Sequence, residues 1–506
     1  MLVFSVRVNG ISGAQRAARA AAKIWLAALL IVNVYRAATQ SVTADEAFTY
    51  NHFAGGDEPV KVYDSNNHVL FTWLARGSVA VFGLSELSLR LPSLLGGCLY
   101  LAAVFRLSAH LFAPAWLFGL AVVSLSLNPF VLDFLSAARG YGLALGLWLW
   151  AIYELAVSLG EAVASTRRVR LAAILLALAV AANLNLAPPG AALAVSFALL
   201  ALWRWPPARL RLAWLARNLV GPGLLVSILI LFWPLRTASR SSFYFGVESL
   251  RQTLQGLVFY SFCHARPNDP SFLQDLLWHV TPKFVVYLLV LLAGACLYLL
   301  VKGRGRKLEG LAPPEQSLLL LGGAAFATLA LLAAAWRLAG LKYPVDRTAL
   351  YWIPLFTLLC LACLASSPPR LVAWLLAAPV CAFLLLAVLQ YALQFNTRFY
   401  AQWRYDAATK RLAQLIRDRE TAMAGRRVRI GATWLFEPSL NFYRQCYRMH
   451  WLEKVTRDGP HGDFDYYVLH GPDTALVEQL RLHVIYRDEF SGTVLAIPGG
   501  VLKSRP

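Results

Sequence analysis

Gln40-Ser41-Val42-Thr43-Ala44-Asp45-Glu46-Ala47-Phe48-Thr49-Tyr50-Asn51-His52-Phe53 is a polar stretch between two hydrophobic segments, with two adjacent acids in its middle. The polar region runs on to Tyr63-Asp64-Ser65-Asn66-Asn67-His68, a dense set of hydrogen-bonding side chains. Outward from it the chain turns apolar: runs of about 17 to 23 residues recur until about residue 394, each long enough to cross a roughly 30 Å hydrocarbon core as a helix. Of the 506 residues 58% are hydrophobic and only 15% charged, with a mean hydropathy of +0.55. That composition excludes a soluble globular chain and implies a polytopic α-helical membrane protein.

The net charge of +20 does not point to nucleic acid. Many basic residues fall in short clusters between hydrophobic runs: Arg167-Arg168-Val169-Arg170, Arg204 to Arg217, and Lys302 to Lys307. Lysine and arginine placed this way hold loops on the cytoplasmic side of an inner membrane. The remaining charge suits anionic membrane lipids or a phosphorylated substrate.

Orientation turns on His68–Phe82. The first span, about 23–35, follows Arg7, Arg16, Arg19 and Lys23, which puts the Asp45 loop outside and makes the span an uncleaved anchor. If 68–82 crossed, every later basic cluster would fall outside. The segment is short and carries Arg76 in its middle, which a spanning helix resists, so it reads as juxtamembrane or re-entrant. Spans then follow at about 91–111, 115–131, 139–159, 171–187, 189–203, 217–235, 281–301, 317–338, 348–365 and 371–394, about eleven in all. Residues 1–398 form this membrane module, with outer loops 39–90 and 236–280; 132–138, 339–347 and everything after about 395 are also outside.

The tail, 399–506, changes composition. A helix carrying Leu412, Leu415 and Ile416 precedes a strand near 427–433, a helix at 437–447, a strand at 465–469, a short helix near 474–480 and strands near 483–486 and 493–497. Alternating strands and helices imply a small soluble α/β domain outside the membrane. Five of the seven cysteines lie in apolar runs, and Cys360-x-x-Cys363 has no partner cysteines or histidines, so these read as small core residues rather than metal ligands. Cys263 and Cys446 lie in extramembrane regions, where a disulfide between them stays open. No internal repeat is visible.

Three outer pieces can carry chemistry. Asp45 and Glu46 directly follow the first span, with few local cations to neutralise them; a carboxylate held there can act as general base on a hydroxyl within hydrogen-bond reach. Arg139 and Tyr141 enter an apolar helix at Ala138-Arg139-Gly140-Tyr141, either to line a polar cavity or, for Arg139, to snorkel. Lys342-Tyr343-Pro344-Val345-Asp346-Arg347 sets two cations between consecutive spans, as a phosphate-binding loop or as an Asp346–Arg347 surface pair.

These stretches resemble the GT-C glycosyltransferases that use polyprenyl-phosphate sugars, in particular the protein O-mannosyltransferase and lipid A aminoarabinose transferase group. The resemblance is carried by Asp45 to Tyr50, by Asn67 to Leu74 continuing to Phe82-Gly83-Leu84-Ser85-Glu86 and Leu89-Arg90-Leu91-Pro92-Ser93, and by Ala138 to Tyr141. It implies an inverting transfer at the outer face of the cytoplasmic membrane, from a polyprenyl-phosphate sugar to a lipid, glycan or protein hydroxyl. Asp45 would be the catalytic base or acceptor-orienting acid and Glu46 its assistant. Arg139, Lys342 and Arg347 would hold the departing phosphate, with Asn67, His68 and Tyr141 also binding substrate. Many members follow the histidine with prolines; here Val69-Leu70 stands instead. Some relatives need a divalent cation, and Asp45 with Glu46 could ligate Mg²⁺ or Mn²⁺ through oxygen; no metal is expected to be required. Two other classes stay open: a transporter or flippase of lipid-linked saccharide, which needs charges near the bilayer centre and commonly repeats, and a non-catalytic membrane scaffold.

Overall fold

The computed structural model describes residues 12–56, 64–205, 208–243, 245–263, 271–304, 310–366, 370–420 and 427–499. Arg7, Tyr63 and the Gly305–Lys307 part of the third basic cluster lie outside them.

Among the described residues the membrane module is built from helices. In chain order it holds α1 (Gly13–Thr39), α2 (Ala44–Phe48, continued by a wider turn over Thr49–Ala54), α3 (Val69–Phe82), α4 (Glu86–Leu111), α5 (Ala115–Ser126), α6 (Pro129–Phe134), α7 (Gly140–Gly160) and α8 (Thr166–Ala182). There follow α9 (Ala187–Arg204), α10 (Ala208–Leu215), α11 (Gly221–Arg236), α12 (Leu250–Phe262), α13 (Phe272–Arg304), α14 (Pro313–Ala339), α15 (Trp352–Ala365) and α16 (Arg370–Gln394). Among the described residues, nine helical stretches are long and apolar enough to cross a membrane, by length and composition.

Nine is fewer than the eleven expected, and the difference has a local cause. The expected span 115–131 is broken where Asn128 caps α6 and Pro129 opens it, and α8 is 17 residues long and begins among arginines. Both passages nevertheless run the length of a neighbour. Gln15 donates to the Ala113 carbonyl, Trp25 to Ser126, and Arg36 pairs with Asp133, so α5 and α6 climb beside the whole of α1. Arg168 pairs with Glu154 near the end of α7, while Ala182 packs against Gly140 at its start. The Pro188-Pro189 pair falls in the first turn of α9, where a missing N–H is tolerated.

At 14 residues α3 is about 21 Å long by the helical rise, too short for the hydrocarbon core. It returns to the end of the bundle it left. The basic clusters gather at the other end: Arg168 binds Glu154 and Glu161, Arg204 donates to the Glu161 carbonyl, and Lys302 binds Glu315 at the start of α14. Close packing holds the central pair together. A side chain at Gly96 of α4 would overlap the Leu143 backbone of α7, and one at Gly146 would overlap the Gly96 carbonyl. Small residues let apolar helices approach where lipid offers no hydrophobic drive.

The tail follows the expected pattern closely. A strap, Ala401–Ala408, leads into α17 (Thr409–Glu420), β1 (Ile430–Ala432), α18 (Glu437–Cys446), β2 (Tyr466–Leu469), α19 (Leu476–Gln479), β3 (Leu482–Arg487) and β4 (Val494–Pro498). The sheet order is β1-β2-β4-β3, with β1 and β2 parallel and the other pairs antiparallel. Leu412 and Ile416 of α17 bury one helical face against Val428, Val468 and Leu495. The tail docks on the acidic loop: Phe442 and Tyr443 of α18 pack with Val42, Ala47 and Phe71, and the Tyr443 hydroxyl accepts the Val42 N–H at 2.8 Å. All seven cysteines are free, Cys263 and Cys446 included.

Candidate active site at one end of the bundle

The site grows from α2. Thr43-Ala44-Asp45-Glu46 is a reciprocal cap: the Thr43 hydroxyl accepts the Glu46 N–H and a Glu46 oxygen accepts the Thr43 N–H at 2.8 Å. With 3.6 residues per turn, neighbours on a helix point about 100° apart. Asp45 and Glu46 therefore part company at once.

Glu46 turns into the protein and is fully buried. Arg90, equally buried, meets it with two parallel bonds of 2.8 and 2.7 Å, and spends its other donors on the carbonyls of Ala37, Gln40 and Ser41. The Ala138 N–H also donates to Glu46. Glu46 thus ties the end of α1, the start of α2 and the entry to α7 into one knot. Every Glu46 oxygen is committed to a protein donor and no surface of the side chain faces outward. Among the described residues no cluster of three or more His, Cys, Asp or Glu side chains is grouped to hold a metal.

Asp45 turns the other way and its side chain keeps 27% of its surface open. Arg347 Nη2 lies 2.9 Å from its carboxylate and Arg139 Nη2 lies 3.9 Å away. Arg139, at the cap of α7, is buried and donates to the Thr49 hydroxyl at 2.7 Å, to the Asp45 carbonyl at 3.2 Å and to Asn66 at 3.5 Å. It does not snorkel. Arg347 is held between the rings of Phe245 and Trp403, 5.3 and 5.6 Å from its guanidinium, and donates to Gln402 at 3.1 Å. It also hydrogen-bonds Tyr141, whose ring meets His68 edge-on at 5.0 Å. Asp346 turns toward Gly256 of α12, away from this cluster's centre.

His68 is buried, and among the described residues Nε2 has no hydrogen-bond partner. Burial, with the charges of Arg139 and Arg347 beside it, holds the imidazole well below its ordinary range, so it is a neutral ring here. The structure brings Asp45, Arg139, Arg347, Tyr141 and His68 into one contiguous cluster. Asn67 and Lys342 make contacts of their own. Asn67 accepts the Thr72 hydroxyl at 2.8 Å and serves the start of α3. Lys342 lies 3.4 Å from Glu248 with 43% of its side chain exposed, on the short bridge where Val247 pairs with Tyr343.

Sequence reasoning missed Gln402 and Trp403, which lie more than fifty residues beyond Arg347. It also missed two buried acids that build the floor, Asp133 and Asp406. Arg36 pairs with Asp133, which in turn accepts the Ala401 N–H at 2.7 Å. Asp406 accepts the Ala44 N–H at 2.7 Å. Nothing local marks these pairings; only the repeated appearance of charge at span ends hints at them.

Beside the cluster, an apolar cavity of about 950 Å³ opens between α12, α13, α15 and α16, lined by residues such as Leu257, Val258, Trp278, Phe356 and Phe383. None of the charged cluster lines it. Helix α12 sets Val258 against the cavity and Gly256 against Asp346, the chain neighbour of Arg347.

No family model and no curated protein sequence matches the chain. Among solved structures it is similar to ArnT from Cupriavidus metallidurans in the apo state, at 15% identity and a TM-score of 0.41 over 96% of this chain and 99% of that one. It is similar to the same protein bound to undecaprenyl phosphate, at 17% identity and a TM-score of 0.39 over 95% and 98%. A third is the archaeal oligosaccharyltransferase AglB from Archaeoglobus fulgidus in complex with an inhibitory peptide and a dolichol-phosphate, at 13% identity and a TM-score of 0.37 over 83% and 64%.

Proposed function

We propose that the chain is an inverting glycosyltransferase that moves a sugar from a polyprenyl-phosphate donor to an acceptor hydroxyl at the outer face of the cytoplasmic membrane. The observation that carries this reading is the partly open Asp45 carboxylate within reach of two arginines at one end of an apolar bundle. An acceptor oxygen attacks the anomeric carbon from the face opposite the phosphate and passes its proton to Asp45. The bond from that carbon to the phosphate oxygen breaks, and the charge that develops on the leaving polyprenyl phosphate is met by Arg347 and Arg139. Arg347 leaves Asp45 for the phosphate, which frees the carboxylate to accept the proton. Tyr141 and the neutral His68 offer hydrogen bonds to the sugar without adding charge.

The apolar cavity beside α12 suits the polyprenyl chain, which keeps the donor's tail in the membrane while its phosphate reaches the arginines. No metal enters this scheme, since charge neutralisation falls to arginine.

The test is purified protein in lipid nanodiscs, supplied with polyprenyl-phosphate sugars and a panel of acceptors, with release of polyprenyl phosphate measured. Wild type is expected to release it with at least one donor, and Asp45→Asn to release about 10²–10⁴-fold less. Equal release by the two proteins would remove Asp45 from the reaction. Silence of wild type with every donor, alongside movement of the intact donor across the bilayer, would favour a flippase.

A further inference from the structure

One strap of the tail reaches both members of the Asp45–Arg347 pair. Gln402 accepts from Arg347 and Trp403 covers its guanidinium. Three residues on, Asp406 is buried, and its carboxylate takes three donors: the Ala44 N–H at 2.7 Å, the Ser439 hydroxyl at 2.8 Å and the Thr409 hydroxyl at 2.9 Å. Ala44 is the first residue of α2, and Asp45 is the second. A helix of five residues has no stability of its own, and its direction is set by what satisfies its first N–H groups. Thr43 and Glu46 satisfy theirs from within; Ala44 depends on a residue 362 positions away.

Resting on the glycosyltransferase reading above, we propose that Asp406 is a positioning residue for Asp45: by accepting the Ala44 N–H it fixes the direction in which α2 aims the carboxylate, so that the tail completes the active site. The strap then holds base and phosphate-binding arginine in one frame. Ser439 and Thr409 anchor Asp406 to α18 and α17, so a shift of the tail moves Asp45 and Arg347 together.

Asparagine can take over this role. Burial lifts the Asp406 carboxyl to about 7 against the pull of its three donors, with the nearby Glu46 adding to the rise. Near neutral pH it carries its proton for much of the time. In that form one oxygen accepts from Ala44 and the hydroxyl faces Ser439 and Thr409. An asparagine presents the same pattern, its oxygen to Ala44 and its NH₂ to two hydroxyls that can turn and accept. Alanine presents neither.

The experiment reads two quantities on the full chain in nanodiscs. Hydrogen exchange of the peptide over 43–50 reports the hold on α2 and needs no substrate. Transfer kinetics with a polyprenyl-phosphate sugar report its consequence. Asp406→Ala is expected to speed exchange in 43–50 at least tenfold and to lower kcat at least tenfold, with KM for the donor within about twofold. Asp406→Asn is expected to recover most of both. Ala44→Pro deletes the same bond from the other side, at a helix-opening position after an extended Thr43 that accepts proline, and is expected to match Asp406→Ala. Should Asp406→Ala fail to fold, Ala44→Pro carries the test. Unchanged exchange in 43–50, or wild-type kcat in Ala44→Pro, overturns the positioning role. Loss of kcat in Asp406→Asn equal to that in Asp406→Ala also overturns it. If wild type transfers no sugar, the functional reading falls, while the exchange result still decides whether Asp406 holds α2.

Discussion

Asp45 and Glu46 are the same kind of side chain, one residue apart, and they end in opposite surroundings. Glu46 and Arg90 are sealed from solvent and share two parallel bonds. Asp45 and Arg347 meet at 2.9 Å with 27% and 17% of their side chains open. The sealed pair is architecture: its partners are backbone groups from three segments, and nothing is left to offer a substrate. The open pair has one arginine shared between an acid, two aromatic rings and a glutamine, and a second arginine 3.9 Å away. Burial separates them. A charge that reaches no surface can only hold the fold, while a partly open one can trade its partner for a ligand.

The largest expected effect lies on the sealed side. Arg90→Ala leaves Glu46 buried without its counter-charge and orphans the carbonyls of Ala37, Gln40 and Ser41. Removing one partner of a buried pair costs about 3–5 kcal/mol, a large part of a typical protein's stability. The expected outcome is little or no monodisperse protein on size-exclusion chromatography in detergent. Wild-type elution and melting temperature would mean that Glu46 does not tie the three segments together.

Asp45→Asn should show the opposite profile. A partly exposed ion pair contributes about 0–1 kcal/mol, so melting should hardly move, while transfer drops by about 10²–10⁴-fold. A loss of stability in Asp45→Asn matching that in Arg90→Ala would erase the distinction between the two acids.

The two acids also mark what the sequence can and cannot disclose. The fold was legible because apolar length and alternation are local signals: the tail's four strands fall within a few residues of their expected places, and α3 was recognised as too short with an arginine inside. Thr43 and Glu46 carry a local signal as well, the spacing of a capping box, and that spacing marks Glu46 as the capping acid. Asp45, Arg139 and Arg347 were legible because charge at a span end is costly unless it is used. Arg36 with Asp133, Asp406 with Ala44, and Gln402 with Arg347 were not. Each joins segments that only the folded chain brings together, and no periodicity records a partner 55 to 362 residues away.

Arg347→Ala tests the open side from the phosphate end. Losing a positioned donor to a developing oxyanion lowers rate by about 10²–10³-fold. Part of that loss should persist in Arg347→Lys, because an ammonium keeps the charge but cannot lie flat between Phe245 and Trp403 while reaching Gln402. Kinetics of both variants across donor concentration check this; full activity in Arg347→Lys would reduce the residue to a point charge.

Lys342 sharpens the contrast from within one loop. It lies five residues before Arg347 and was expected to share its work, yet it faces Glu248 with 43% and 69% of the two side chains exposed. The Val247–Tyr343 bridge fixes the backbone there, and it needs only main-chain groups. Lys342→Ala should therefore change transfer by less than about threefold and stability by less than about 1 kcal/mol, the range of exposed pairs. The same donor titration checks it. A fall approaching that of Arg347→Ala would mean that the loop swings on binding the donor and brings Lys342 to the phosphate, and the division between a working cation and a surface one would have to be redrawn.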